Sequence, residues 1–119
     1  MRYVIPHIPP SLNSFAGRKN VWEYRRKKAE WSSLMRLYLK PLPKEPLTRV
    51  ELTLVYYFAD RRRRDPDNRL KFILDGLKES GVIADDSFSC VRSLSVKCGE
   101  PDPSRPRVEI ELKDCEEDL

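Results

Sequence analysis

Between Leu47 and Asp60, apolar side chains occupy every second position: Val50, Leu52, Leu54, Tyr56 and Phe58. Period two is what a strand with one buried face requires, so this stretch demands a sheet with something packed on it. The alternation stops at Asp60-Arg61-Arg62-Arg63-Arg64-Asp65-Pro66, and a different period follows. Asp65 is a good helix N-cap, proline is tolerated at a first helical position, and Gly81 is a good stop. Together they predict a helix from Pro66 to Ser80. A strand thus passes into a helix across one short charged segment, and side chains at such a junction converge on one spot.

The remaining elements fall around this pair. Met1 to Ile5 reads as a short strand ended by Pro6, Pro9 and Pro10. Asn20 with Glu23 opens a helix that Pro41 and Pro43 end, and Trp22, Ala29, Leu34, Leu37 and Tyr38 recur in it at helical intervals. The segments 91–98 and 106–112 alternate again, and Gly99 to Arg105, with Pro101 and Pro103, reads as a hairpin loop between them. The expected architecture is a single small α+β domain of order β-α-β-α-β-β, a mixed sheet with helices packed on it. It spans residues 1–112, and an acidic tail, expected to fray, occupies 113–119.

A chain of 119 residues suffices for one compact domain. With 39% hydrophobic and 35% charged residues its core is thin, and self-association would add to it. Charge is unevenly spread. The last nine positions hold Glu111, Asp114, Glu116, Glu117 and Asp118 against Lys113; taking these from 23 basic and 19 acidic residues leaves 22 and 14, a balance of +8. A basic body suits a polyanionic partner. Cys90, Cys98 and Cys115 are odd in number and lack C-x-x-C spacing, which argues against a disulfide framework or a zinc ribbon and for a reducing, cytoplasmic setting. No apolar run approaches a membrane span, and His7, among prolines, has no partner for catalysis.

The chemistry-bearing residues lie from Asp60 to Asp86. Leu70, Ile73 and Leu77 make the apolar stripe of the second predicted helix, whereas Asp67, Lys71, Asp75 and Lys78 share another at steps of three and four. Asp85-Asp86 follow soon after the helix, and a short return would bring them beside Asp65 and Asp67. Taken singly, each feature is ordinary: a helix start, an i,i+4 pair, an Asp-Asp-Ser turn, a solvated charge run. Gathered together, the carboxylates would repel one another unless a cation neutralised them. Hard oxygen donors suit Mg²⁺ or Mn²⁺, and no organic cofactor is implied. Such an ion polarises a phosphodiester, and Lys71, one turn beyond Asp67, could stabilise charge developing on the phosphate. The alternative reading is a non-catalytic basic module for branched or single-stranded nucleic acid, which leaves the aspartates unexplained.

The same stretch resembles the signature of the RusA Holliday-junction resolvases. It has an arginine-rich run, then Asp65-Pro66-Asp67-Asn68 as D-x-D-N, Lys71, Asp75-Gly76-Leu77 as D-x-L, and Gly81 to Asp86 as G-x-x-x-D-D. Pro9-Pro10-Ser11-Leu12-Asn13 resembles that family's early P-P-S-x-N element. By position, the resemblance implies that Asp65, Asp67 and Asp86 bind the metal and that Lys71 is catalytic beside them, with Asn68, Asp75 and Asp85 in support. Arg61, Arg62, Arg63, Arg64 and Arg69, with Asn13, Arg18 and Lys19, are the expected DNA contacts. It further implies a homodimer that resolves four-way DNA junctions by paired nicks. Val55, Tyr57, Trp31 and Leu34 are candidate pairing residues.

Overall fold

The computed structural model describes residues 1–12 and 21–115. Its elements are β1 (Arg2–Ile5), α1 (Val21–Tyr38), β2 (Val50–Tyr57), α2 (Leu70–Glu79), β3 (Val91–Cys98) and β4 (Arg107–Asp114). The order is the expected β-α-β-α-β-β, and the four strands form one mixed sheet in the order β1-β4-β2-β3. β4 pairs antiparallel with both β1 and β2, whereas β2 and β3 are parallel and joined through α2.

One face of the sheet presents Tyr3, Ile5, Leu52, Leu54, Tyr56, Val108, Ile110 and Leu112, all buried. Trp31 and Met35 of α1 join Phe72, Ile73 and Leu77 of α2 in the same apolar cluster. Each such side chain removed from water stabilises the fold by about 1.5–3 kcal/mol. The helices meet closely at Gly76, where any Cβ would collide with Met35 Sδ. The opposite face, with Glu51, Thr53, Glu109 and Glu111, is polar and open to solvent or half-buried. No helix among the described residues is long and apolar enough to cross a membrane.

Several expectations are corrected. Gly99 to Arg105 is no hairpin: β3 and β4 lie on opposite sides of β2, which has both edges paired. The connection crosses the end of β2, where the Gly99 amide donates to the Tyr56 carbonyl and the Asp102 amide to the Phe58 carbonyl, each at 2.8 Å. Gly99 permits this close passage, since a side chain there would meet the Tyr57 ring. β4 continues through Lys113 and Asp114, and the Cys115 amide bonds to the Arg49 carbonyl, so the ladder runs past Leu112. Residues 116–119 lie outside the described residues. In α1 the buried residues are Trp31, Ser32 and Met35, while Trp22 and Leu37 are exposed. Trp31 therefore belongs to this chain's own core and not to a pairing surface.

Candidate active site

Past β2 the chain is pinned around the Phe58 ring. The ring stacks on Tyr56 at 5.6 Å, the Arg64 guanidinium lies over it at 4.1 Å and that of Arg69 at 5.3 Å. Arg64 also pairs with Asp60 at 2.7 Å and donates to the carbonyls of Asp60 and Arg62. The Arg62 amide and the Arg64 side chain hold the Asp60 carboxyl below its usual range. Arg69 donates from Nε to the Pro9 carbonyl at 3.0 Å, and the Leu12 amide donates to the Asn68 carbonyl at 2.9 Å. The early proline-rich segment is thereby tied to the D-x-D-N turn. Burial, with Arg64 nearby, holds Arg69 below its ordinary value.

The arginine run consequently divides. Arg64 and Arg69 hold the loop together, whereas Arg61, Arg62 and Arg63 are exposed. Arg61 meets Glu100 at 3.0 Å and Arg62 meets Asp60 at 3.5 Å, but pairs this open to water are weak and leave the cations free to exchange partners. Asn13, Arg18 and Lys19 lie outside the described residues.

Asp65 and Asp67 stand exposed on the turn that leads into α2. The Asn68 amide bonds to the Asp65 carbonyl at 3.3 Å and the Leu70 amide to the Asp67 carbonyl at 3.4 Å. Helix α2 starts at Leu70, four residues later than Pro66, and its N-cap residue is Arg69, which makes no side-chain cap. The Asp65 side chain is thus not an N-cap for α2. At the other end the helix closes as expected, with Gly81 at a positive φ of 86° and its amide bonded to the Lys78 carbonyl.

Lys71, in the first turn of α2, lies 3.7 Å from Asp75 Oδ2, and Lys28 of α1 reaches the same oxygen at 3.1 Å. Asp75 is buried. Its carboxylate, paired with Lys28, pushes that ammonium up, against burial. Lys28 ends the basic run Arg25-Arg26-Lys27-Lys28, which by sequence alone reads as a solvated face. Its spacing from the buried Trp31 and Met35 was the available signal.

Asp85 and Asp86 do not join Asp65 and Asp67 within the chain. The Ala84 amide donates to the Leu47 carbonyl, and residues 47 and 83 form an isolated bridge, so this turn sits before the start of β2. Asp65 and Asp67 follow its end. The intervening strand has eight residues, a rise of roughly 23 Å. Lys78, in the last turn of α2, pairs with Asp85 at 3.2 Å. The Ser87 hydroxyl and then Lys78 hold the Asp85 carboxyl down at about 2. The expected short return is overruled by parallel pairing: β3 must begin at the end of the sheet where β2 begins.

Among the described residues, no three His, Cys, Asp or Glu side chains stand together as a metal-holding group. The donors are chemically suited to Mg²⁺ or Mn²⁺, since all are hard carboxylate oxygens. One chain, however, supplies only Asp65 and Asp67 of the expected set at one end of the sheet.

Beside that pair opens a cavity of about 330 Å³, walled by Tyr56, Phe58, Val96, Gly99 and Pro101 with Asp65 at its margin. The Tyr56 hydroxyl is buried with no hydrogen-bond partner among the described residues. Burial raises its pKa well above the usual phenol range, although Arg69 pulls it down. Nothing in the sequence pattern marked this cavity, because it arises where the 99–105 connection crosses β2.

The family model described as endodeoxyribonuclease RusA matches residues 7–113. The chain is also 32% identical over 97 residues to the crossover junction endodeoxyribonuclease rusA of Enterobacteria phage HK97, covering 78% of this chain and 80% of that relative. The family model's match takes in both aspartate pairs, Lys71, β2, β3 and all of β4 but its last residue. This chain belongs to the RusA family of endodeoxyribonucleases.

Proposed function

We propose that the chain is a Mg²⁺- or Mn²⁺-dependent, structure-specific endodeoxyribonuclease that resolves four-way DNA junctions by paired nicking, as a cytoplasmic homodimer. The observation that carries this reading is the exposed pair Asp65 and Asp67, with Lys71 in the adjoining first turn of α2 and Arg61, Arg62 and Arg63 exposed alongside. Asp65 and Asp67 would hold the ion, and Asp86 would complete its ligand set. A divalent ion bound there supplies Lewis-acid polarisation of the phosphodiester and an acidified water.

The chain's own residues supply the rest. Arg61, Arg62 and Arg63 bind phosphates on either side of the cut, and Lys71 places a positive charge beside the phosphate that gains charge. Asp75 orients Lys71 from below, at 3.7 Å. Asn68 keeps the aspartate turn closed by donating its backbone N–H to the Asp65 carbonyl. Since Asp86 lies at the far end of β2 from Asp65 in its own chain, the full ligand set is drawn from two copies. A twofold dimer then carries two such sites, as a twofold-symmetric junction needs. The HK97 relative's name, a crossover junction endodeoxyribonuclease, favours this substrate over linear duplex.

The test is nicking of a synthetic four-way junction with and without Mg²⁺, beside a linear duplex of the same sequence. The expected result is paired nicks in the junction only when the ion is present. Metal-independent nicking, or equal cutting of the duplex, would refute the reading.

A further inference from the structure

Tyr24, Lys28, Trp31 and Met35 turn one side of α1 toward α2 and the core. The other side carries Trp22, Arg25, Arg26, Ala29, Ser33 and Arg36, all exposed. Their steps of three and four residues make them one stripe. Glu23 and Glu30 fall beside it, in open pairs with Arg26 at 3.5 Å and Lys27 at 3.6 Å. Pairs so exposed to water are weak and yield to another anion. Arg25 meets no carboxylate among the described residues.

Trp22 is 81% exposed. Single apolar side chains scattered over a surface are ordinary. This one stands among arginines, and Trp22, Glu23, Arg25 and Arg26 together wall a shallow recess. A bare indole beside cations suits a partner that is flat and apolar in one part and anionic in the next. A nucleobase on its phosphate chain is such a partner.

The stripe starts at the aspartate end of the molecule. Tyr24, in the first turn of α1, has its ring 5.8 Å from that of Phe72, in the first turn of α2. Lys28 follows and reaches Asp75, the acid that also lies 3.7 Å from Lys71. Helix α2 itself begins at Leu70, three residues after Asp67. DNA held by its backbone at Asp65 and Asp67 therefore has the first turn of α1 beside it.

We infer, building on the junction reading above, that Trp22 stacks on a base at the branch point of a four-way junction. Arg25 and Arg26 hold the neighbouring phosphates, and the stripe thereby selects branched over linear DNA. In a linear duplex each internal base is covered on both faces, and a side chain enters only by unstacking a step. At an opened branch point the last base pair of each arm has one bare face, and an indole covers it without that cost. Arginines three and four residues beyond Trp22 sit one turn along the same side, toward the backbone of the same arm.

Binding of the full chain to a synthetic four-way junction and to a linear duplex, both without divalent ions, tests the stripe. Trp22→Ala removes an exposed side chain, so melting should match the wild type. Its junction affinity should fall roughly tenfold or more with duplex affinity unchanged, and Trp22→Phe should keep most of the junction affinity. Aminopurine, a fluorescent adenine analogue placed at the branch point, should be quenched by the wild type and less by Trp22→Ala. Equal losses on junction and duplex overturn the selectivity, and unchanged binding of both overturns the contact. Weakened self-association in sedimentation equilibrium, with quenching intact, assigns Trp22 to a protein contact and likewise overturns it. None of these readouts needs a metal. A chain that binds junctions through Trp22 yet never nicks them with Mg²⁺ present upholds the stacking and refutes the nuclease reading.

Discussion

Lys28 of α1 and Asp75 of α2 meet at 3.1 Å, and the carboxylate oxygen they share is also 3.7 Å from Lys71. A buried acid thus ties the first helix to the lysine nearest the aspartate turn. Removing the acid strands Lys28 beside an apolar interface, whereas removing Lys28 leaves Asp75 with Lys71. Asp75→Asn is therefore expected to cost about 1–3 kcal/mol, and Lys28→Ala, with its side chain one-third exposed, less than about 1 kcal/mol. Thermal unfolding of both variants checks the order. Equal losses would mean that Lys71 plays no part in holding Asp75.

The split of the arginine run predicts two kinds of variant. Arg62→Ala with Arg63→Ala should reduce the salt slope of junction binding by about one unit per lost phosphate contact, with melting unchanged. Arg64→Ala should lower the melting temperature, because Arg64 holds Asp60 at 2.7 Å and covers the Phe58 ring. Salt titrations of binding beside melting curves separate the two. An unchanged slope in the first variant would mean that those side chains face away from DNA.

The close approach of Gly76 to Met35 predicts that Gly76→Ala destabilises the protein. Alanine gains up to about 1 kcal/mol of helix propensity, but overpacking at a buried contact costs about 1–3 kcal/mol. Met35 is fully buried, so its sulfur has little room to retreat. A net loss of about 1 kcal/mol is expected in denaturant unfolding. A stabilised variant would show that α1 can shift outward freely.

What could be read from the sequence follows from how local the deciding physics is. The alternation of Val50 to Phe58 and the stop at Gly81 are properties of a few adjacent residues, and both appear where expected. Strand pairing is not local. The same alternation in 91–98 and 106–112 fits a hairpin or two strands flanking β2, and only the apolar demand of β2 for two partners decides. The distance between the aspartate pairs was lost for that reason, since it depends on β3 running parallel to β2. The packing of Arg64 and Arg69 over the Phe58 ring was equally out of reach, because composition does not show what a guanidinium lies against.

Acid should weaken the fold through Arg107. Its guanidinium lies 2.9 Å from both Asp102 and Glu109 and sits over the Tyr57 ring at 3.9 Å. Asp102 is held below its ordinary 3.8 by the Ser104 hydroxyl and then by Arg107. Burial alone would raise Glu109, but Arg107 and Arg2 outweigh it and leave it below 4.5. Both carboxylates bind protons more readily in the unfolded chain. Their stabilisation is thus fully present above 4.5 and is lost as pH falls through their lower folded values. Arg107→Met should flatten the fall of melting temperature below that pH. An identical acid limb in the variant would mean that other groups set it.

The separation of the aspartates makes the strongest prediction about catalysis. Asp67→Asn and Asp86→Asn should each abolish metal-dependent nicking while leaving junction binding intact or tighter, because each removes a ligand charge that also repels phosphate. If Asp65 and Asp67 of one copy share an ion with Asp86 of the other, a mixed dimer of the two dead variants holds one site with both lesions and one with none. Unfolding the variants together and refolding them should therefore restore nicking of a single strand per junction. Manganese binding, followed by its electron resonance signal, should reappear in the mixture at up to half the wild-type stoichiometry per mixed dimer. If each chain instead built its own site, every site in the mixture would carry a lesion. Neither signal would then return.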